Sequence, residues 1–214
     1  MALAFLLKGL LIGFSIAAPV GPIGVLCIQR TLAHGRLIGF ASGLGAATAD
    51  AAYGFVAAFG LTFISNSLVA QQGWLRLVGG AFLLWLGYRG FVAAPADPRS
   101  AAAGGTAEGR ALHAARAYAS TVALTLTNPA TILSFAAIFA GLGIGELQAS
   151  YDLAAILVAG VFAGSALWWL ILSGVTGAFR EKMGRRHLVW VNRFSGSIIG
   201  LFGLAALATL WFSN

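Results

Sequence analysis

Hydrophobic residues run through this chain in long blocks rather than in the short alternations of a sheet or the half-polar stripes of a surface helix. A hydrocarbon core about 30 Å thick takes about 20 apolar residues per helix. Six blocks of the 214-residue chain qualify: 9–29, 37–64, 75–94, 117–144, 153–179 and 194–212. The pattern predicts an all-α integral membrane protein of six transmembrane helices, with little chain left for a soluble domain. Two of the blocks carry helix-breaking signatures in their interiors, Pro19-Val20-Gly21-Pro22 in the first and Thr127-Asn128-Pro129-Ala130 in the fourth. A proline inside a helix removes one backbone hydrogen bond and clashes with the preceding turn, and in lipid the freed carbonyls must find partners within the protein.

About half the chain separates the two breaks, so each falls at a matching place in one half. Three spans per half is an odd number, and a second half built like the first is then inserted upside down. This predicts inverted 3+3 repeats with broken helices 1 and 4, an arrangement of many secondary transporters in which the breaks mark the binding site. The expected division is 1–94 for the first three-helix repeat, 95–116 for a linker rich in proline, glycine and small polar residues, and 117–214 for the second repeat.

Composition agrees. Hydrophobic residues make up 59% of the chain and mean hydropathy is +0.89. Only 9% of residues are charged, against about 25% in soluble domains. The 29 glycines suit helices packed through small residues. Gly39 and Gly43, extended by Gly45 and Ala46, form one such patch, and Gly160 and Gly164 form another. Cys27 is the sole cysteine, which excludes an intrachain disulfide and a cysteine metal cluster. Lys8 followed by apolar residues and Ala17-Ala18 imitates a secretory signal, but five further spans follow and the segment is read as a mature helix.

The net charge of +7 changes the picture only in its distribution. Apart from Lys8 and Arg76, the thirteen lysines and arginines are assigned to the loops after the first, third and fifth blocks, Arg30, Arg89, Arg116 and Arg193 among them. Glu146 and Asp152 mark the opposite side. By the positive-inside rule those three loops are cytoplasmic and both termini lie outside. Charges split among short juxtamembrane segments without an organising motif exclude a nucleic-acid partner.

Candidate chemistry gathers at the breaks. Pro22 and Pro129 suit the first position of a helix, where no amide donor is needed, and Asn128 is a favoured N-cap. Each break thus starts a new helix at mid-membrane, whose unpaired amides and dipole favour an anion such as a carboxylate. The plain alternative is a pair of structural kinks. Asp50 is the acidic residue deep within a span, and an ionisable group there faces the bundle interior and marks a substrate or proton pathway. It is expected to bind a substrate amine or carry a coupling proton, the alternative being a hydrogen-bonded strut. Most tryptophans fall toward block ends as interfacial belt residues, while Trp168 or Trp169 is placed to wall a cavity. His34, His113 and His187 fall in the cytoplasmic loops without metal-ligand spacing within a span. The candidate substrate site is therefore Pro19, Gly21, Pro22, Asp50, Asn128 and Pro129, with no catalytic residue, no metal and no cofactor.

An enzyme embedded in the membrane would need a nucleophile with a base, or a metal cluster, at membrane depth. One carboxylate and no intramembrane histidine argue against it. An inorganic or metal cation transporter is favoured by the lone acid and opposed by the shortage of donors to replace an ion's hydration shell. A purely structural role leaves the breaks and the buried acid unexplained.

These same residues resemble the lysine exporter (LysE/RhtB) family of amino-acid efflux proteins, over nearly the whole length. The family's Pro-x-Gly-Pro stands as Pro19-Val20-Gly21-Pro22, its glycine-rich second helix ending in an acid as Gly39 through Asp50, its third-helix pattern as Leu75 through Arg89, and its Asn-Pro as Asn128-Pro129. The chain departs from the family at Ala130, where lysine is frequent, at Ala49, where glycine precedes the acid, and around Ala140-Gly141-Leu142, where Pro-Gln is usual. The resemblance implies export of amino acids or related small metabolites, driven by proton antiport through alternating access, in the bacterial inner membrane. The implied partners are a small-molecule substrate and the lipid bilayer. Small-residue faces serve either within the monomer or between monomers, which leaves a homo-oligomer open.

Overall fold

The computed structural model describes residues 1–19, 21–59, 71–93, 106–128, 131–132, 134–135, 151–180 and 185–212. Among the described residues there are seven helices and no strand: α1 (Ala2–Ala17), α2 (Pro22–His34), α3 (Arg36–Ala58), α4 (Gln72–Val92), α5 (Ala107–Leu126), α6 (Tyr151–Arg180) and α7 (Arg185–Phe212). Much of α4, all of α6 and most of α7 are long and apolar enough to cross a membrane, and α1 with α2 pass the same test as a pair bent by 80°. Of the six expected spans, three such helices and the bent pair pass this test among the described residues. α3 falls short because its interior is rich in glycine, alanine, serine and threonine, and α5 because its first half carries Glu108, Arg110, His113 and Arg116. The small residues of α3 suit a helix walled by other helices better than one facing lipid.

The first predicted block is two helices. α1 stops at Ala17, and α2 begins at Pro22 with Gly21 as its N-cap, so proline occupies the position that needs no amide donor. α5 starts upstream of the expected 117, capped by Thr106, whose hydroxyl oxygen accepts from the Gly109 amide at 3.1 Å. α7 likewise starts ahead of 194. Arg30, Arg89, Arg116 and Arg193, expected in loops, therefore ride on helices, because a helix continues through polar turns after its apolar block has ended. α2 and α3 are joined by Gly35 alone, at φ +96°, a left-handed conformation that a side chain would strain.

Polarity is turned inside out. Ser42, Asp50, Thr121, Thr125, Ser165 and Asn192 are buried, while Leu3, Leu11, Trp74, Phe194 and Leu201 are exposed. In water such a surface would associate; in lipid it is solvated. Lipid tails give apolar helices little reason to associate, so close backbone packing has to hold the bundle together. α1 crosses α6 with Gly9 and Gly13 opposite Gly160 and Gly164, and a Cβ built on Gly9 would lie 3.0 Å from the Gly160 Cα. α4 crosses α7 in the same way, a Cβ on Gly203 falling 2.8 Å from the Gly80 carbonyl oxygen. Gly39 faces Thr31 of α2 and Gly43 faces Trp169 of α6. Both glycine patches singled out in the sequence therefore pack against neighbours inside the monomer. α3 is the central helix, held between α5 and α6.

Candidate functional site

Where α1 gives way to α2, a cavity of about 540 Å³ opens among α3, α4, α5, α6 and α7. The helix after the first break is wound from its start, with the Val25 amide donating to the Gly21 carbonyl at 3.0 Å. At the second break the chain does the same beyond Asn128, whose carbonyl accepts from the amides of Thr131 at 3.1 Å and Ile132 at 3.3 Å. Carbonyls left over at the end of α5 are met by hydroxyls. Tyr53 of α3 donates to the Leu126 carbonyl at 2.5 Å, and the Thr127 hydroxyl donates to the Leu124 carbonyl at 3.2 Å. Breaks at membrane depth are sustained by such internal partners.

Asp50 lines the cavity from α3 and is only 3% exposed. Its Oδ2 accepts a hydrogen bond from the Ser165 hydroxyl of α6 at 2.7 Å, and the Trp169 indole nitrogen, one turn on, donates to Ser165 Oγ at 3.1 Å. The carboxylate is thus aimed by a short relay while keeping lone pairs for a ligand. Arg76 of α4 brings a positive group to the same cavity. The cavity accordingly offers an anionic oxygen, a guanidinium and two helix starts within one small volume, which suits a small molecule carrying both charges.

Of the predicted site residues, Pro19, Gly21, Pro22, Asp50 and Asn128 all line this cavity, and Pro129 lies outside the described residues, as does Ala130. Between Trp168 and Trp169, it is Trp169 that lines the wall, while Trp168 meets Phe14 edge-on with centroids 5.4 Å apart. Sequence reasoning missed Arg76, Thr125 and Ser165. Ser165 is 115 residues from Asp50, so nothing local announces the pair. Thr125 had a signal, since it stands one turn before Asn128. His34, His113 and His187 belong to α2, α5 and α7 rather than to loops. No group of three or more His, Cys, Asp or Glu able to hold a metal occurs among the described residues.

Thr125 is 1% exposed, lines the cavity, and its hydroxyl has no hydrogen-bond partner among the described residues. A buried hydroxyl without a partner costs about 1–3 kcal/mol. Thr125→Val, of the same shape, is therefore expected to hold or raise the thermal midpoint in detergent while weakening the affinity of the cavity for a charged small molecule by about tenfold, the worth of one buried hydrogen bond to a charged group. An affinity unchanged in Thr125→Val would remove the residue from the site.

The family described as LysE type translocator matches residues 14–209. The "Putative amino acid efflux protein YcgF" of Bacillus subtilis (strain 168) is 27% identical over 205 residues, covering 92% of each chain. The "Uncharacterized membrane protein YahN" of Escherichia coli (strain K12) is 31% identical over 181 residues, 83% of this chain and 77% of that one. No solved structure matches the chain.

Proposed function

Because this chain belongs to the LysE type translocators, and so is a multi-pass membrane transporter and not an enzyme, we propose that it exports amino acids or related small metabolites across the bacterial inner membrane by proton antiport. The observation that carries this reading is the meeting of both helix breaks and Asp50 in one cavity. An amino acid bound there places its ammonium at Asp50 and its carboxylate at the helix starts after Gly21 and Asn128. Pro19, Pro22 and Pro129 act on the backbone, by creating those starts. Proton uptake and release at Asp50 then exchange with the ammonium, which couples cargo to the proton gradient. The relative from Bacillus subtilis, named for amino acid efflux, supports this choice of cargo.

Alternating access around this cavity is supported by the way the helices pair. α3 packs on α6 and α4 on α7, and the packing of α1 against α6 has its counterpart in α5 against α3. Inverted repeats, the first over 1–94 and the second running from the start of α5 at Ala107 rather than from 117, would make this set of pairings. The charge pattern supports cytoplasmic loops 1, 3 and 5, with both termini outside.

The test is uptake of labelled amino acids into inside-out membrane vesicles, with and without an acid-inside pH gradient. Gradient-dependent accumulation of some of them is the expected result. No accumulation across the panel, together with stabilisation of the purified protein by an inorganic cation, would replace this reading with a cation transporter.

A further inference from the structure

A second cavity, of about 530 Å³, lies along the same helices at their other ends. The first cavity takes the N-terminal part of α2 and the C-terminal parts of α5 and α7; the second takes the C-terminal part of α2 and the N-terminal parts of α5 and α7. Between them stands an apolar plug in which Leu26, Leu83, Leu124 and Ile199 pack together, with Leu86 against them. The two cavities thus lie in series, with a hydrophobic partition between.

The second cavity is strongly cationic. Arg30, Arg89 and Arg116 line it together with His34 and His113, and no acidic side chain is found among its described lining residues. Arg30 is pinned without being neutralised. Its guanidinium donates to Ser42 Oγ at 3.0 Å, the Ala117 carbonyl at 2.9 Å, Thr121 Oγ1 at 2.9 Å and Ser120 Oγ at 2.8 Å, all uncharged acceptors. Arg89 rests over the Trp85 ring at 5.2 Å from its centroid, and the rings of His34 and His113 lie 4.5 Å apart. A half-enclosed site with three guanidinium groups and uncompensated positive charge attracts an anionic oxygen group, and guanidinium geometry suits a carboxylate.

We propose that this second cavity is a vestibule that captures cargo by its carboxylate before the leucine partition opens, and that its arginines restrict cargo to amino acids of zero or negative net charge. The proposal rests on the amino-acid export reading above. A cation such as lysine meets like charge in the vestibule, and one unit-charge repulsion at an effective dielectric near a protein surface weakens capture by at least about tenfold. Alanine-like zwitterions and glutamate-like anions gain a partner instead.

The test is transport of the common amino acids, grouped by net charge, in phosphatidylcholine proteoliposomes with cargo presented to the arginine-lined face. Native protein is compared with an Arg89→Gln/Arg116→Gln double variant and an Arg89→Lys/Arg116→Lys double variant. Arg89 and Arg116 are exposed, so both variants fold, which a thermal midpoint checks. The expected result is at least a tenfold rise in KM for neutral and acidic cargo in the glutamine variant, with kcat kept, and recovery in the lysine variant. Equal KM values in native and glutamine-variant protein, or lysine and arginine carried as well as alanine, would overturn the vestibule while leaving amino-acid export standing. Failure of native protein to carry any amino acid sinks both readings together. A repeat in liposomes containing phosphatidylglycerol identifies the source of the anion. Loss of the arginine-dependent KM difference there makes the site a lipid-headgroup site and overturns cargo capture.

Discussion

Asp50→Asn is expected to abolish gradient-driven transport and to leave the protein folded. The change is nearly isosteric, and the remaining carbonyl oxygen still accepts from Ser165, so the contact of α3 with α6 and the setting of Trp169 survive. What is lost is the charge. Removing one partner of a buried charge pair costs about 2–5 kcal/mol, which lowers transport by at least about 30-fold. The thermal midpoint in detergent stays level or rises, because a charge deep in the bundle no longer has to be sheltered. Initial rates in inside-out vesicles, normalised to protein amount, measure the first effect and a melting curve the second. A strut that merely joins α3 to α6 predicts the reverse outcome, since Asn preserves the join. Full transport in a folded Asp50→Asn protein would sink the role of Asp50 in binding and coupling.

Gly164→Leu is expected to prevent the bundle from assembling. A Cβ at Gly164 runs into the Leu10 backbone of α1, with the Leu10 Cα 2.9 Å away, and backbone cannot turn aside as a side chain can. Forcing extra methylenes into a packed interior costs about 1–3 kcal/mol, occasionally more. Here α1 has to leave α6 altogether, and lipid offers the separated helices no penalty that would drive them back. Gly174→Leu, on the same helix, is the control, because nothing lies within 4 Å of a Cβ at that position. Folded yield and monodispersity in detergent are expected to collapse for Gly164→Leu and to hold for Gly174→Leu. Equal yields would mean that the α1–α6 crossing is not what keeps the bundle together.

The parts of this fold that could be read from sequence are those fixed by the bilayer and by proline. Block length reports membrane thickness, and Pro22 at the first position of α2 follows from its missing amide. The place of Asp50 in the cavity wall was legible because a lone carboxylate at that depth is expected to face the bundle interior. Arg30 was not, although one consideration would have found it. A helix starting at Pro22 rises about 1.5 Å per residue and is still running when it reaches Arg30, so counting cations into loops misplaced it. Hydropathy also hid the true starts of α5 and α7, whose first turns are polar. The bonds from Ser165 to Asp50 and the facing of His34 with His113 are tertiary, made by residues far apart in the chain, and periodicity has no access to them.

The one-residue corner between α2 and α3 has a mechanical consequence. Gly35 sets the angle of that corner, and the Arg180 guanidinium, donating through Nε to the Leu32 carbonyl at 2.9 Å, rivets it to the end of α6. A joint clamped in this way transmits torque instead of absorbing it. The slack in the first half of the chain therefore sits at the other end of α2, around Ala18 and Gly21, where the cavity lies. On the export reading proposed above, pivot and cargo would share one location, so a molecule too large for the cavity that wedges itself there is expected to block the stroke as well as the seat.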